Sequence, residues 1–263
     1  MELSISNIAW SVENNDKVYS LMKRYGYTGL EIAPTKIFPV NPYDKLVEAS
    51  VWSEKLKEIY DLSISSMQSI WFGRHEKLFY SEVDRKQLLN YTKKAIDFAA
   101  VIKCKNLVFG CPKNRSLPEN ASSKVAVSFF KEVGDYAASK GTVIGMEANP
   151  SIYNTNYIND TTSALDLIKS VGSEGFKLNL DIGAMIENEE SLATIEGHVN
   201  HINHVHISEP MLRPIENRKI HKELKKALSE GGYTKFVSIE MGAVRDLSII
   251  EKVMHYVRSI FDE

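Results

Sequence analysis

Four acidic or imidazole side chains recur at regular distances in the second half of the chain. Glu147, Asp181, His206 and Glu240 are separated by 34, 25 and 34 residues. Three carboxylates with one imidazole form a hard, mostly oxygen ligand set. Such a set favours Mn²⁺, Mg²⁺ or Co²⁺ and also admits Zn²⁺, whereas the lack of a thiolate argues against a structural zinc site. The four residue types therefore predict one divalent-metal centre.

Each of these residues ends a short segment in which apolar side chains alternate with small or polar ones. Segment 204–209 shows this most clearly, because Val205 and Ile207 alternate with His204, His206 and Ser208. A period of two is typical of a strand, and it places all the polar side chains on one face. His204 lies one layer deeper than His206, so we expect a supporting role for it rather than metal ligation. Segments 143–147, 178–181 and 236–240 repeat the design.

Every candidate ligand also has an ordinary structural interpretation. An acidic residue at a strand end is usually solvated or caps a helix, and a strand histidine is usually a hydrogen-bonded core group. Taken together, however, four such groups brought together at the ends of four strands would repel one another strongly unless something neutralised their charges. A bound cation is the simplest neutraliser.

The elements that must position these side chains alternate between strand and helix along the whole chain. Predicted strands at 3–8, 27–34, 62–70 and 106–110 precede the four ligand-bearing segments, and amphipathic helices lie between them, for example at 46–62, 81–103 and 125–138. The helix before the strand at 204–209 is expected at 191–198. Eight units of about 31 residues predict an α/β protein with a single (β/α)8 TIM barrel as one domain over residues 1–263. The carboxyl ends of the strands are where such barrels carry their chemistry.

Composition restricts the partners. The 263 residues are 43% hydrophobic with a net charge of −2, so no long-range attraction for nucleic acid or an anionic membrane is expected. Two cysteines without a CxxC motif, no basic leader and no long apolar run predict a cytoplasmic protein that does not enter a membrane. The oligomeric state is open, and a homo-oligomer is among the arrangements the sequence allows.

The chain resembles the sugar isomerase/epimerase superfamily of xylose isomerase-like barrels, which includes ketose 3-epimerases. The resemblance covers nearly the whole chain and is specific for the superfamily but not for a substrate. The motifs that carry it are Met146-Glu147-Ala148-Asn149-Pro150, Leu180-Asp181-Ile182-Gly183, His204-Val205-His206 and Ser238-Ile239-Glu240, with segments 29–36 and 108–115.

This resemblance implies a divalent ion held by Glu147, Asp181, His206 and Glu240, with Glu147 and Glu240 also serving as the proton-transfer pair. The implied substrate is a small carbohydrate: a sugar, sugar phosphate or sugar acid. A proton beside a carbonyl is weakly acidic, so the metal must polarise the carbonyl and stabilise the enediolate. One glutamate then removes the proton, and its return to the opposite face epimerises the carbon, whereas its return to the neighbouring carbon isomerises the sugar.

Two positions depart from the ketose epimerases of this group. Those enzymes carry a histidine three residues after the strand-six aspartate and an arginine six residues after the strand-seven histidine. Here these places are Ala184 and Leu212, and Arg213 follows Leu212. Because both family residues touch substrate oxygens, the departures weaken assignment as a free-ketose 3-epimerase and leave the metal centre unaffected.

Five residues around the barrel mouth are candidate substrate contacts. Lys113 and Arg115 could receive a phosphate or carboxylate, although a solvated basic loop is an equal alternative. Gln68 and Asn149 are candidate hydroxyl binders, and Arg213 is the nearest cation to the missing arginine.

Other residues near the mouth have two interpretations each. Glu31 has the opposite parity to its apolar neighbours, so it faces the barrel interior or pairs with Lys36. Trp10, Trp71 and Phe72 line a sugar site or pack in the core.

Three further functions compete with an isomerase or epimerase. Dehydration of a keto-cyclitol would use the same barrel and metal but expel a hydroxyl after enolisation. A non-catalytic barrel that only binds a sugar is attractive if no metal binds. An apurinic endonuclease needs more histidines at strand ends and a basic DNA-binding face, and the sequence has neither.

Overall fold

The structure is a computed structural model and describes residues 1–262. Within that range eight parallel strands close into a barrel in sequence order, with β8 pairing back onto β1. The predicted (β/α)8 barrel is therefore confirmed. The strands are β1 Glu2–Ser6, β2 Gly29–Ile32, β3 Ser63–Met67, β4 Leu107–Phe109, β5 Ile144–Glu147, β6 Phe176–Asp181, β7 Ile202–Ser208 and β8 Phe236–Glu240.

An α-helix follows every strand and covers the barrel. The helices are α1 Asn15–Arg24, α2 Leu46–Tyr60, α3 Glu82–Val101, α4 Lys124–Ser139, α5 Thr161–Val171, α6 Ile182–Glu187, α7 Lys219–Glu230 and α8 Leu247–Phe261. The prediction of a helix at 191–198 was wrong. The helix of this unit is α6, which begins directly after Asp181, and the predicted region contains only a 3-10 turn at Leu192–Ile195. A six-residue helix is too short to show an amphipathic period.

Strand register brings the carboxyl ends of β5 to β8 to one level. Asp181 lies opposite His206 in the β6–β7 pair, and Ser208 lies opposite Glu240 in the β7–β8 pair. Glu147 lies opposite Asn179, two residues before Asp181. Because alternate residues share a face, this register turns the side chains of the four strand ends toward the same space.

The barrel interior is unusually polar. Many such barrels fill this space with Val, Ile and Leu, but here the inward side chains are mostly serine, asparagine and histidine. Ser4 and Ser65 form a hydrogen bond of 2.6 Å, and the Asn106 amide donates to Ser66 Oγ at 3.0 Å and to Asn179 Oδ1 at 3.3 Å. The apolar row of each strand instead packs outward against the helices. No helix among residues 1–262 is both long enough and apolar enough to cross a bilayer.

Candidate metal centre

The side chains of Glu147, Asp181, His206 and Glu240 meet at the carboxyl end of the barrel. One ligand atom from each lies within 4.8 Å of the corresponding atom of every other. His206 Nδ1 is 3.0 Å from Glu147 Oε1, 3.2 Å from Glu240 Oε2 and 3.8 Å from Asp181 Oδ2. Three carboxylates and one imidazole nitrogen around one point form a hard donor set that fits a divalent cation.

Asp181 is oriented by the start of the helix that follows it. Its Oδ1 accepts hydrogen bonds from the Ala184 backbone N–H and the Ser208 hydroxyl, each at 2.7 Å. Ser208 Oγ in turn accepts the Gly183 N–H at 2.8 Å. Since these donors occupy Oδ1, the second oxygen is the one that faces His206. Asp181 therefore caps α6 and presents one free oxygen to the centre.

Glu147 is held by amides on both sides. Asn179 donates to its Oε1 at 2.8 Å, and Asn149 donates to its Oε2 at 3.2 Å. Gly110 on the neighbouring loop leaves room for this carboxylate, because a Cβ there would lie 2.8 Å from Oε2. The orientation of Glu147 thus depends on three other segments of the barrel mouth.

Arg115 lies directly behind Glu147 and is fully buried. Its guanidinium donates to the backbone carbonyls of Glu147 and Ile158 at 2.9 and 3.1 Å, and to Asn149 Oδ1 at 3.0 Å. These bonds turn its charge toward protein acceptors and away from the cavity. Through Asn149 the same guanidinium steadies the Glu147 carboxylate.

His206 has a different partner on its other nitrogen. Nε2 lies 2.8 Å from Glu31 Oε2, and the same oxygen is 3.2 Å from His204 Nε2. The Gln68 amide nitrogen lies 3.0 Å from Glu31 Oε1 and 2.9 Å from Glu240 Oε1. Of the two interpretations of Glu31, the inward one is correct. Its pairing with both histidines was missed, although its parity in β2 carried that signal.

Burial and mutual repulsion perturb the carboxylates of the centre. Burial raises the pKa of Glu147, and it raises the pKa of Glu240 to about 7, with Glu147 and Asp181 adding to the rise. Burial alone would lower the pKa of His206, but Glu240 and Glu31 outweigh it and raise that pKa well above its usual value. Burial would raise the pKa of Glu31, yet His206 and His204 hold it well below its usual range. Without a cation, the centre therefore retains protons.

The centre opens into a cavity of roughly 170 Å³. The post-β7 loop closes one side, where the Met211 N–H donates to the Tyr153 hydroxyl at 2.9 Å. Among the 262 described residues, the cavity lining contains acidic, neutral polar and apolar side chains but no lysine or arginine. The lining residues are Pro112, Glu147, Ala148, Asn149, Tyr153, Asp181, Ala184, Ser208, Glu209, Leu212 and Glu240.

The candidate substrate contacts are distributed unevenly around this cavity. Asn149 lines it, whereas Lys113 and Arg213 are exposed neighbours of the lining residues Pro112 and Leu212. Gln68 is buried against Glu240.

The aromatic side chains at the strand ends divide in the same uneven way. Trp10 and Trp71 are core residues, whereas Phe72 is 68% exposed. None of these three aromatic residues is among the lining residues.

Comparisons with known proteins agree with this architecture. A family model described as xylose isomerase-like TIM barrel matches residues 19–259. No curated protein matches the chain in sequence. Among solved structures, 3-keto-D-glucoside 4-epimerase YcjR from E. coli is 18% identical with a TM-score of 0.78, and the match covers 98% of this chain and 99% of that one.

Two further solved structures have the same fold. D-psicose 3-epimerase from Clostridium cellulolyticum H10, solved with D-tagatose, is 16% identical with a TM-score of 0.78 over 99% of both chains. The IolI protein, solved with a bound zinc atom, is 14% identical with a TM-score of 0.74 over 99% of this chain and 96% of that one. At such low identities the likeness concerns the fold.

Proposed function

The chain belongs to the xylose isomerase-like TIM barrel family, and from that premise we propose that it is a divalent-cation-dependent isomerase or epimerase of a small carbohydrate. The observation that carries the proposal is the convergence of Glu147, Asp181 and Glu240 on one cavity, with His206 Nδ1 within 3.8 Å of an oxygen of each. Similar folds named as sugar epimerases support the substrate class. Mn²⁺, Mg²⁺ and Co²⁺ suit the oxygen-rich donor set best, and the zinc in IolI keeps Zn²⁺ among the candidates.

We assign the cation to Glu147, Asp181, His206 and Glu240. When bound, it supplies the positive charge that makes the proton beside a carbonyl more acidic. Glu147 and Glu240 reach the centre from β5 and β8, so their carboxylates approach it from different directions. In the proposed reaction one of them takes the proton from carbon and the other returns a proton.

The surrounding residues hold the two glutamates in position for these proton transfers. Asn179 and Asn149 fix the Glu147 carboxylate, and Gln68 fixes Glu240, so neither acid must reorganise before proton transfer. Contact with the bound cation would keep both carboxylates ionised, so either one could accept the proton from carbon. Asn149 on the cavity wall is the proposed hydroxyl contact. Lys113 and Arg213 on the rim are the proposed contacts for an anionic end of a longer substrate.

The proposal is tested by solvent exchange. The protein is loaded with Mn²⁺ in D₂O and offered ketoses, sugar phosphates and uronates, and deuterium incorporation at carbon is measured by NMR and mass spectrometry. We expect exchange with the wild type and a loss of about 10²-fold or more in Glu147→Gln and Glu240→Gln, as for removal of a general acid or base.

Glu251→Gln makes the same chemical change on α8, far from the centre, and should leave exchange unchanged. Metal content is measured alongside. Wild-type exchange in both active-site variants would refute the acid–base assignment. A keto-cyclitol is offered in a parallel assay, and a product lighter by one water would instead identify the keto-cyclitol dehydratase.

A further inference from the structure

Glu31 is a fully buried carboxylate that contacts two of the assigned metal ligands, one directly and one through an amide. We propose that Glu31 is the positioning residue of the metal centre, holding His206 and Glu240 in the orientation that a divalent cation requires. The inference rests on the proposed cation site and extends it to a residue outside the cavity lining. Glu31 belongs to β2, in the first half of the chain, whereas the four ligands belong to β5 to β8 in the second half.

The contact with His206 decides which nitrogen is available as a ligand. Glu31 Oε2 lies 2.8 Å from Nε2, and a carboxylate can only accept, so Nε2 carries the hydrogen of this bond. The other nitrogen, Nδ1, is the one that faces Glu147, Glu240 and Asp181. An imidazole that donates through one nitrogen is fixed in ring angle and is a more basic ligand through the other.

The second contact runs through Gln68. Its amide nitrogen lies within 3.0 Å of three acceptors, namely Ser6 Oγ, Glu31 Oε1 and Glu240 Oε1. Since an amide has only two hydrogens, they are shared among these oxygens. Glu31 thereby sets the direction of the Gln68 amide, which in turn steadies the Glu240 oxygen turned away from His206. The Glu31 carboxylate therefore orients two ligands of the centre: His206 directly, and Glu240 through the Gln68 amide.

A second cation between Glu31, His204 and His206 is the competing interpretation, because their ligand atoms also cluster. The 2.8 Å separation of Glu31 Oε2 from His206 Nε2 has the length of a direct hydrogen bond. His204 borders a separate cavity at the other end of the barrel, but Glu31 and His206 line neither cavity, and all three side chains are buried. The geometry favours direct support over a second ion.

The test measures metal binding in the full chain rather than turnover. Mn²⁺ is titrated into the metal-free protein by calorimetry for wild type, Glu31→Gln and Glu31→Asp. Ser65→Ala is the matched control, because Ser65 is buried in the same barrel interior and hydrogen-bonds to Ser4 but not to the centre. Thermal unfolding reports the fold of each variant, and ¹⁵N NMR of the Zn²⁺-loaded protein reports the hydrogen on His206 Nε2.

We expect one ion per wild-type chain and a dissociation constant raised about 10- to 100-fold in Glu31→Gln, the range found for removing such supports. Glu31→Asp keeps the charge of the acceptor, so it should bind Mn²⁺ more tightly than Glu31→Gln. If Glu31→Gln folds poorly, Glu31→Asp is the variant compared with the wild type, and its affinity should still be lower. Ser65→Ala should bind as the wild type does. The Nε2 hydrogen-bond signature should be present in the wild type and lost in Glu31→Gln.

Four results would overturn the inference. Unchanged Mn²⁺ affinity in Glu31→Gln, or an equal loss in Ser65→Ala, would make Glu31 merely structural. Two ions in the wild type and one in Glu31→Gln would make it a ligand. No ion in the wild type would remove the proposed centre itself, which is a different failure from the other three.

Discussion

Replacing Glu240 by glutamine should stabilise the metal-free protein while removing its response to metal. Burial raises the pKa of Glu240 from an ordinary 4.5 to about 7; His206 opposes this rise, and the charges of Glu147 and Asp181 add to it. A carboxyl whose pKa is raised by folding does not reduce stability while the pH is below its pKa in the unfolded chain. As the pH rises from that value to the pKa in the folded protein, the free energy of unfolding falls progressively, because only the unfolded chain ionises freely. The metal-free wild type should therefore lose stability between pH 4.5 and about 7.

The size of the effect follows from the same pKa. A difference between 4.5 and about 7 corresponds to about 3 kcal/mol of free energy of unfolding once pH exceeds 7. For a chain of this length that amounts to roughly 5–10 °C in Tm. Glutamine is nearly isosteric and keeps an oxygen for the Gln68 amide. The main change is the loss of a charge for which burial and the repulsion by Glu147 and Asp181 outweigh the attraction to His206. Saturating Mn²⁺ at about 100 times its dissociation constant should stabilise the wild type by about 2.7 kcal/mol.

The assay is calorimetric unfolding of wild type and Glu240→Gln near pH 7.5, in EDTA and in Mn²⁺. Glu209→Gln makes the same change at a buried carboxylate that accepts hydrogen bonds from Nε and an Nη of Arg218, each at 2.6 Å. Because Arg218 then loses its charged partner, this variant should be less stable than the wild type by about 1–3 kcal/mol with or without metal. A Glu240→Gln protein that is less stable than wild type in EDTA, and equally raised by Mn²⁺, would refute the reasoning.

Three other predictions follow from the same contacts. Mn²⁺ binding should release protons from Glu240, with a pKa of about 7, and from His206, whose pKa lies well above its usual value. The affinity should therefore rise with pH through 7 and keep rising until His206 is also deprotonated. Calorimetry in buffers of different ionisation enthalpy measures this, and pH-independent affinity would contradict it. Gly110→Ala should push the Glu147 carboxylate aside and weaken Mn²⁺ binding about tenfold with the fold intact, whereas unchanged affinity would show that the carboxylate relaxes freely. Burial lowers the pKa of His221 to about 4, so on acidification this side chain is protonated first in the unfolded chain. Between pH 7.5 and about pH 5 the free energy of unfolding of the wild type should therefore fall by about 2 kcal/mol relative to His221→Gln. Urea unfolding at several pH values measures it, and the same pH dependence in both proteins would contradict this prediction.

The barrel and the convergence of the four side chains could be predicted because both follow from local periodicity. An alternation of two assigns each of Glu147, Asp181, His206 and Glu240 to a strand end and to the polar face of that strand. Once eight units close into a barrel, strand ends meet whatever the loops do. The sequence therefore predicted which residues converge without any knowledge of their partners.

Contacts between distant segments could not be predicted in this way. The parity of Glu31 showed that it faces inward, but its partner lies 175 residues away, and only the closure of the barrel brings them together. Arg115 follows a strand in a basic loop, which suggested an anion contact. Its burial depends on the loop around Ile158, whose carbonyl accepts from it. Pairing across the fold is set by tertiary packing, which periodicity does not encode.

The most direct test of the cation site is an anomalous-scattering map from crystals soaked in Mn²⁺. The account predicts one peak at the carboxyl end of the barrel, on the order of 2.0–2.3 Å from an oxygen of Glu147, Asp181 and Glu240 and from His206 Nδ1. Glu31 should stay hydrogen-bonded to His206 Nε2. A crystal with no peak between these four side chains, or with the ion bound through Nε2 beside Glu31, would contradict it.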